Sequence, residues 1–179
     1  MKNILTLKNL KIVKEMSEET LCFHATLYLD NKKIGNVSNH GQGGPNDYHF
    51  KEHKMKVELE SLAFDYVKEH NLLKNYSNEM QGEFALETMI EDKIERSEKE
   101  KLLKKQLRKD VILKNNKMSE DQIASYSKRK YKLTTKEMEL RFYKELLNVS
   151  FNKNQNPIIL NQLPFEQAYE IYFKGQENG

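Results

Sequence analysis

A strictly alternating apolar stripe near the N-terminus constrains the fold of this chain more than any other feature. Its members are spaced two residues apart: Leu21, Phe23, Ala25, Leu27 and Leu29. Alternation with a period of two is typical of a β-strand that buries one face, because successive side chains of a strand point to opposite sides. The stripe therefore predicts a half-buried strand, with Cys22, His24, Thr26 and Tyr28 on its other face.

The residues on either side of this strand predict an antiparallel sheet. Residues 30–33 form a polar turn, and residues 34–37 make a return strand, so that a hairpin covers residues 21–38. Only one register buries the unbroken stripe, which directs Phe23, Ala25 and Leu27 to the core. A further strand is predicted before the hairpin from four alternating apolar residues: Leu5, Leu7, Leu10 and Ile12.

Apolar residues at helical spacing predict the rest of the secondary structure. They indicate helices over residues 54–70, 82–108, 120–130 and 135–148, and short strands over residues 111–113 and 158–160. Pro164 suits the first position of a last helix, and Gly175 suits its end.

These elements predict an α+β fold with a small N-terminal antiparallel sheet packed by helices, a charged helical middle region and a C-terminal strand–helix unit. We expect residues 1–179 to form a single domain. Residues 82–132 are expected to form a charged helical extension that could project from it.

The composition argues against a disulfide-bonded secreted protein and against a membrane protein. The chain contains one cysteine, Cys22, so it cannot form an internal disulfide, as is usual for proteins of the reducing cytoplasm. No apolar run approaches the roughly 18 residues of a membrane helix, and the first residues do not look like a signal peptide. We therefore expect a cytoplasmic protein that has no membrane partner.

Charge is distributed unevenly along the sequence. Residues 57–100 carry 5 Lys/Arg against 12 Asp/Glu, whereas residues 101–156 carry 15 against 6. The candidate residues for binding nucleic acid or an acidic partner are seven cations: Lys101, Lys104, Lys105, Arg108, Lys128, Arg129 and Lys130. Phosphate contacts need only positive charge, and the aromatic residues near these cations are few, so binding without sequence preference is the expectation. The alternative is that these cations form an ordinary solvated surface.

A glycine-rich loop over residues 39–47 contains three of the seven glycines. Its candidate ligand-binding residues are Asn39, His40, Gly41, Gly43, Gly44, Asn46 and Asp47. Glycine lets backbone amides converge on an anion, and a helix that begins soon afterwards would add its positive N-terminal end. The loop is therefore predicted to bind a phosphate group. The alternative is that the glycines only satisfy the geometry of a turn.

The same region contains candidate metal ligands: His40, Asp47, His49 and His53. His49 and His53 are four residues apart and would share one face of a helix. The hypothesis that follows is a divalent-metal-dependent nuclease or phosphodiesterase. No phosphate-binding loop, nucleophile elbow or His-Glu-x-x-His motif occurs in the sequence. We therefore assign no catalytic residue and predict no cofactor.

Part of the N-terminal quarter resembles a known but uncharacterised family of small proteins of bacteria, phages and mobile elements. The resemblance rests on Ser17-Glu18-Glu19-Thr20, on the strand over residues 23–28, on Gly35-Asn36-Val37 and on the Asn-x-Gly-x-Gly-Gly loop over residues 39–44. It implies an accessory protein of a mobile element in the cytoplasm of a bacterial host. The family has no assigned catalytic residues, so no role is transferred to a position of this chain. Pro45 departs from the small or polar residue expected there.

Together these observations predict a non-enzymatic binding protein of phage or mobile-element type. Its partner would be a host protein, such as a defence protein that it antagonises, or a phosphorylated ligand. The alternatives are a nucleic-acid-binding accessory protein acting through residues 101–132, and the metal-dependent nuclease. The sequence does not indicate an oligomeric state.

Overall fold

A computed structural model describes residues 4–115, 123–148 and 156–173. The fold is α+β, as predicted, and the chain divides into two compact units, Met1–Ser97 and Glu98–Gly179. The prediction of a single domain stays a prediction, because a domain is defined by independent folding as well as by internal contacts.

The first unit contains a four-stranded antiparallel sheet with strands in chain order. The strands are β1 (Leu5–Ile12), β2 (Phe23–Leu29), β3 (Lys32–Asn39) and β4 (Asp47–Phe50). Phe23, Ala25 and Leu27 are buried, which confirms the predicted register. Asp30 and Asn31 join β2 to β3 with positive φ values of 47° and 66°, as a type I′ hairpin turn requires.

A bulge in β1 explains the irregular spacing of its apolar residues. Leu7 and Leu10 are three residues apart, so a regular strand would point them to opposite faces. The pairing of β1 with β2 shifts register between Lys8 and Lys11, and Asn9 has a φ of 55°. The extra residue lets both leucines pack against the same core.

The predicted alternation fails at its first two residues. β2 begins at Phe23, Leu21 is 39% exposed, and Cys22 is buried. Cys22 lies just before β2, and its backbone hydrogen bonds are not made with the neighbouring strand β3. Its N–H donates to Ser17 Oγ, and its carbonyl accepts from the N–H of Val13, each over 2.9 Å. The Cys22 side chain is therefore not on an exposed polar face.

Two helices complete the core of the first unit. Helix α1 (His53–Glu69) buries Leu59, Ala63 and Val67, which lie at i, i+4 and i+8. The long helix α2 (Asn78–Lys109) contributes its first part to this core, with Ala85, Met89, Ile90 and Ile94 buried. The helices predicted over residues 54–70 and 82–108 are thus confirmed. Among the described helices, none is long and apolar enough to cross a membrane.

The second unit is built around a short central strand. The strands are β5 (Asp110–Lys114), β6 (Ala124–Ser127) and β7 (Ile158–Ile159), and β5 lies between the other two. Helices α3 (Lys136–Asn148) and α4 (Phe165–Phe173) follow β6 and β7. Val111 and Leu113 pack in one apolar cluster with Tyr143 of α3, whereas Ile112 packs in another with the residues of α4. Burial on both faces explains why β5 reads as a continuous apolar run.

The helix predicted over residues 120–130 is wrong. Residues 124–127 form β6, which pairs with β5 from Ala124 opposite Leu113 to Ser127 opposite Asp110. This pairing satisfies the backbone of a segment whose local signals favoured a helix. Residues 120–122 of that predicted helix, and Gly175, lie outside the described residues. In the described part of the predicted extension over residues 82–132, the helix ends at Lys109 and is followed by β5, with β6 after the undescribed residues.

The remaining predicted elements agree with the structure. The helix over residues 135–148 corresponds to α3, and the strand over residues 111–113 corresponds to β5. β7 covers Ile158–Ile159, one residue less than predicted, and α4 starts at Phe165, so Pro164 directly precedes the helix instead of occupying its first position.

Candidate functional site

The glycine-rich loop joins β3 to β4 and is closed by the side chain of Asn39. The Oδ1 atom of Asn39 accepts hydrogen bonds from the N–H of Gly41 and from the hydroxyl of Thr20, each over 2.8 Å. Its Nδ2 donates to the carbonyl oxygen of Gly44 and to Oδ1 of Asn46, each over 3.2 Å. The buried Asn39 side chain therefore holds both ends of the loop.

Other contacts of the loop do not favour a bound anion. The N–H of Gly43 donates to Thr20 Oγ1 over 3.2 Å, and the N–H of Asn46 donates to Glu87 Oε2 over 3.1 Å. A Cβ at Gly43 would lie 2.6 Å from Oε2 of Glu19, so a second carboxylate is close to the loop. These two amides already have acceptors, and the two nearby carboxylates would repel an anion. The contacts therefore support the interpretation that the loop is a rigid connection. Phosphate binding by this loop stays a prediction without support from these contacts.

The candidate metal ligands are dispersed over three elements. His40 Nε2 lies 3.7 Å from Asp47 Oδ2, and both side chains are exposed. His49 lies in β4 and His53 is the first residue of α1, so the prediction that these two share a helix face is wrong. β4 was missed because it is short and depends on pairing with β3, where Tyr48 lies opposite Val37. The described ranges contain no group of three or more His, Cys, Asp or Glu residues that could hold a metal ion.

The first basic stretch forms a concavity at the C-terminal end of α2. Five cations line this space of about 410 Å³: Lys101, Lys104, Lys105, Arg108 and Lys109. Lys101 pairs with Glu98 over 2.8 Å and Lys104 pairs with Glu100 over 3.0 Å. Exposed ion pairs of this kind contribute little, about 0–1 kcal/mol, so a phosphate can replace the carboxylate at small cost.

The second basic stretch lies directly beside the first, which sequence spacing could not show. The N–H of Lys128 donates to the carbonyl oxygen of Lys109 over 2.9 Å, where β6 ends opposite the start of β5. Arg108 and Lys128 also line a common pocket of about 390 Å³, whose wall includes Phe165. We call the concavity and this pocket together the basic face.

The three cations of the second stretch have different surroundings. Lys128 is only 15% exposed and donates to Glu139 Oε1 over 2.9 Å, while Tyr143 donates to the other oxygen over 2.8 Å. Burial raises the pKa of Glu139, but the hydrogen bonds from Lys128 and Tyr143 outweigh it, so the pKa is lower than usual. Lys128 thus has a structural partner, whereas Arg129 and Lys130 are exposed in the turn after β6.

Sequence reasoning did not assign an aromatic residue to this face. Phe165, at the start of α4, is half-buried and lines the pocket. The Nζ atom of Lys104 lies 4.5 Å from the centroid of its ring. The signal available in the sequence was the position of Phe165 directly after Pro164, since the first residues of a helix are often partly exposed. Tyr131, near Lys130, is 44% exposed and its ring lies 4.8 Å from that of Phe142.

Comparison of the chain with protein-family models, with curated proteins and with solved structures found no match. The resemblance to the phage and mobile-element family therefore stays a prediction.

Proposed function

We propose that this chain is a non-enzymatic binding protein whose basic face binds nucleic acid. The observation that carries the proposal is the backbone hydrogen bond between Lys128 and Lys109, because it brings two basic stretches of the sequence together. Sequence-independent binding of nucleic acid requires clustered positive charge that follows the phosphates.

The charge balance of the second unit supports this role. Residues 98–179 carry 17 Lys/Arg against 11 Asp/Glu, a net charge of +6, whereas residues 1–97 carry 13 against 16, a net charge of −3. Positive charge concentrated in one unit, and within it at one end of a helix, is the expected electrostatic pattern of a nucleic-acid-binding surface.

Phe165 favours single-stranded over double-stranded nucleic acid. A base can stack on an aromatic ring only when it is unpaired, and such stacking does not depend on sequence. Phe165 lies next to Lys104 and shares a pocket with Arg108, so one nucleotide could place its phosphate on the cations and its base on the ring.

Anisotropy titration of a fluorescent poly(dT) oligonucleotide tests the proposal. Affinity should fall between about 50 and about 200 mM salt, with a log–log slope of about −0.7 per phosphate contact. Replacing Lys104, Lys105 and Arg108 with Ala should reduce the steepness of that slope by about 2. Lys33, Lys51 and Lys74, all exposed in the first unit, provide the matched control, because their replacement removes the same charge. Absence of binding at about 50 mM salt, or an equal loss in both triple variants, would contradict the proposal.

The other predicted functions rest on different observations. The phage or mobile-element context, the bacterial cytoplasm and the antagonism of a host defence protein depend on the sequence resemblance. A small phosphorylated ligand depends on the glycine-rich loop, and the metal-dependent nuclease gains no support from the described residues. Nucleic-acid binding is compatible with an accessory protein of a mobile element, and it is the function that the side-chain contacts favour most.

A further inference from the structure

The first unit has a groove of its own that the proposed function does not use. Its space is about 700 Å³, and one wall is a stripe along helix α1. The stripe consists of Val57, Ser61, Leu62, Asp65, Tyr66 and Glu69. At 1.5 Å per residue, the distance from residue 57 to residue 69 is about 18 Å. The lining therefore extends along about three turns of the helix.

The floor of the groove is apolar. Leu5 of β1 and Met89 of α2 are both buried beneath it, and Leu62 is half-buried beside them. At its margin, Ile4 is 61% exposed and Val57 is 57% exposed. Two large apolar side chains that face water along one groove are the expected anchors of an interface.

The rim of the groove is acidic. Glu58, Asp65 and Glu69 line it from α1, and the lysine that lines it from α2 is Lys93. The Nζ atom of Lys93 lies 4.7 Å from the centroid of the Tyr66 ring, and burial lowers its pKa. By residue type the lining contains three carboxylates and one ammonium group, so its formal charge is negative. His70, which also lines the groove, stacks on the same ring at 4.0 Å.

We propose that this groove binds a basic amphipathic helix of a partner protein. An apolar stripe at i, i+3, i+4 and i+7 would pack against Leu62, Val57 and Ile4, which are the apolar side chains of the lining that water reaches. Lys or Arg side chains beside that stripe would face Asp65 and Glu69. A length of about 18 Å corresponds to about 12 helical residues, or three turns. This is the helix-in-groove mode of recognition, in which the apolar face supplies affinity and opposite charge supplies specificity.

The inference can be tested on the full chain by selection from a displayed library of random peptides. The peptides are about 16 residues long, so that as helices they exceed the length of the groove. The expected peptides carry net positive charge and apolar residues at helical spacing. Their affinity should fall at least about tenfold for Asp65→Lys and for Val57→Glu, because the first introduces repulsion and the second buries a charge. Both residues are exposed in the free protein, so these variants should keep the wild-type melting temperature.

Two controls complete the experiment. Glu60→Lys changes charge on the opposite side of α1, where Glu60 pairs with Lys56, and it should leave peptide affinity unchanged. The Lys104, Lys105 and Arg108 triple variant should also leave it unchanged, so failure of the nucleic-acid proposal and failure of this one are distinguishable. Selection of no peptide, or of peptides without positive charge or without helical spacing, would overturn the inference. An equal loss in Glu60→Lys, or self-association that Asp65→Lys abolishes, would overturn it as well.

Discussion

The side-chain amide of Asn39 donates a hydrogen bond to Oδ1 of Asn46 across the glycine-rich loop, and both asparagines are buried. Between them, Gly41, Gly43 and Gly44 have positive φ values of 85° to 89°. The asparagines fix the ends of the loop, so the glycines must take left-handed backbone angles to connect them. The glycines are explained by this geometry without a ligand.

The first prediction separates two glycines with the same backbone angle. Gly41 and Gly44 both have a φ of 85°, so Ala at either position should cost about 1–2 kcal/mol for the left-handed conformation. A Cβ at Gly41 would also lie 2.1 Å from the carbonyl oxygen of Met16, whereas a Cβ at Gly44 meets nothing within 4 Å. We therefore expect Gly41→Ala to destabilise the protein by at least about 1 kcal/mol more than Gly44→Ala in urea denaturation. Equal losses would show that the contact with Met16 is wrong.

The second prediction tests the register of the hairpin. Phe23 is 5% exposed in the core of the first unit, so Phe23→Ala should cost about 3–5 kcal/mol. His24, the next residue along β2, is exposed, and His24→Ala should change the free energy of unfolding by no more than about 0.5 kcal/mol. An unchanged melting curve for Phe23→Ala would show that the register is wrong.

The elements predicted correctly from the sequence are those whose apolar residues follow a regular spacing within one segment of the chain. The stripe of β2 is unbroken and buried on one face, so its register followed directly from alternation. β4 and β6 each have four residues, too few for a pattern, and they exist because they pair with β3 and β5. The candidate site depends on such pairing, since Lys109 and Lys128 meet only where β6 ends. Sequence could therefore indicate which residues carry charge, but not which of them are neighbours.

The third prediction concerns the pH dependence of stability. The pKa of Glu139 is lower in the folded state than the usual value near 4.3, because bonds from Lys128 and Tyr143 outweigh its burial. The folded state then binds fewer protons than the unfolded state, so this contribution is present above about pH 5 and lost as pH falls through the folded-state pKa. Glu139→Gln should lower stability by about 1–2 kcal/mol at neutral pH.

The difference between wild type and Glu139→Gln should shrink as pH falls from about 5 to about 3, which denaturant titrations at a series of pH values can measure. Glu137→Gln is the matched control in the same helix, because Glu137 pairs with Arg141 where both side chains are 75% exposed. It should change stability by less than about 0.5 kcal/mol. A Glu139→Gln difference that stays constant with pH would contradict the assigned ion pair.

The last prediction tests whether Phe165 stacks on an unpaired base. Phe165→Leu keeps an apolar side chain against Tyr169, whose ring lies 6.3 Å away, but removes the aromatic face. Loss of one stacked base should weaken binding of a single-stranded oligonucleotide by about 1–3 kcal/mol, a factor of about 5 to 150. Phe165→Tyr should retain the affinity, and both variants should bind a duplex of the same length with the affinity of the wild type.

An oligonucleotide that contains 2-aminopurine provides a second measurement, since its fluorescence is quenched on stacking and should stay bright with Phe165→Leu. A folded Phe165→Leu variant that binds and quenches like the wild type would remove Phe165 from the interface. Binding of nucleic acid, with its salt dependence, would then be attributed to the cations of the basic face alone.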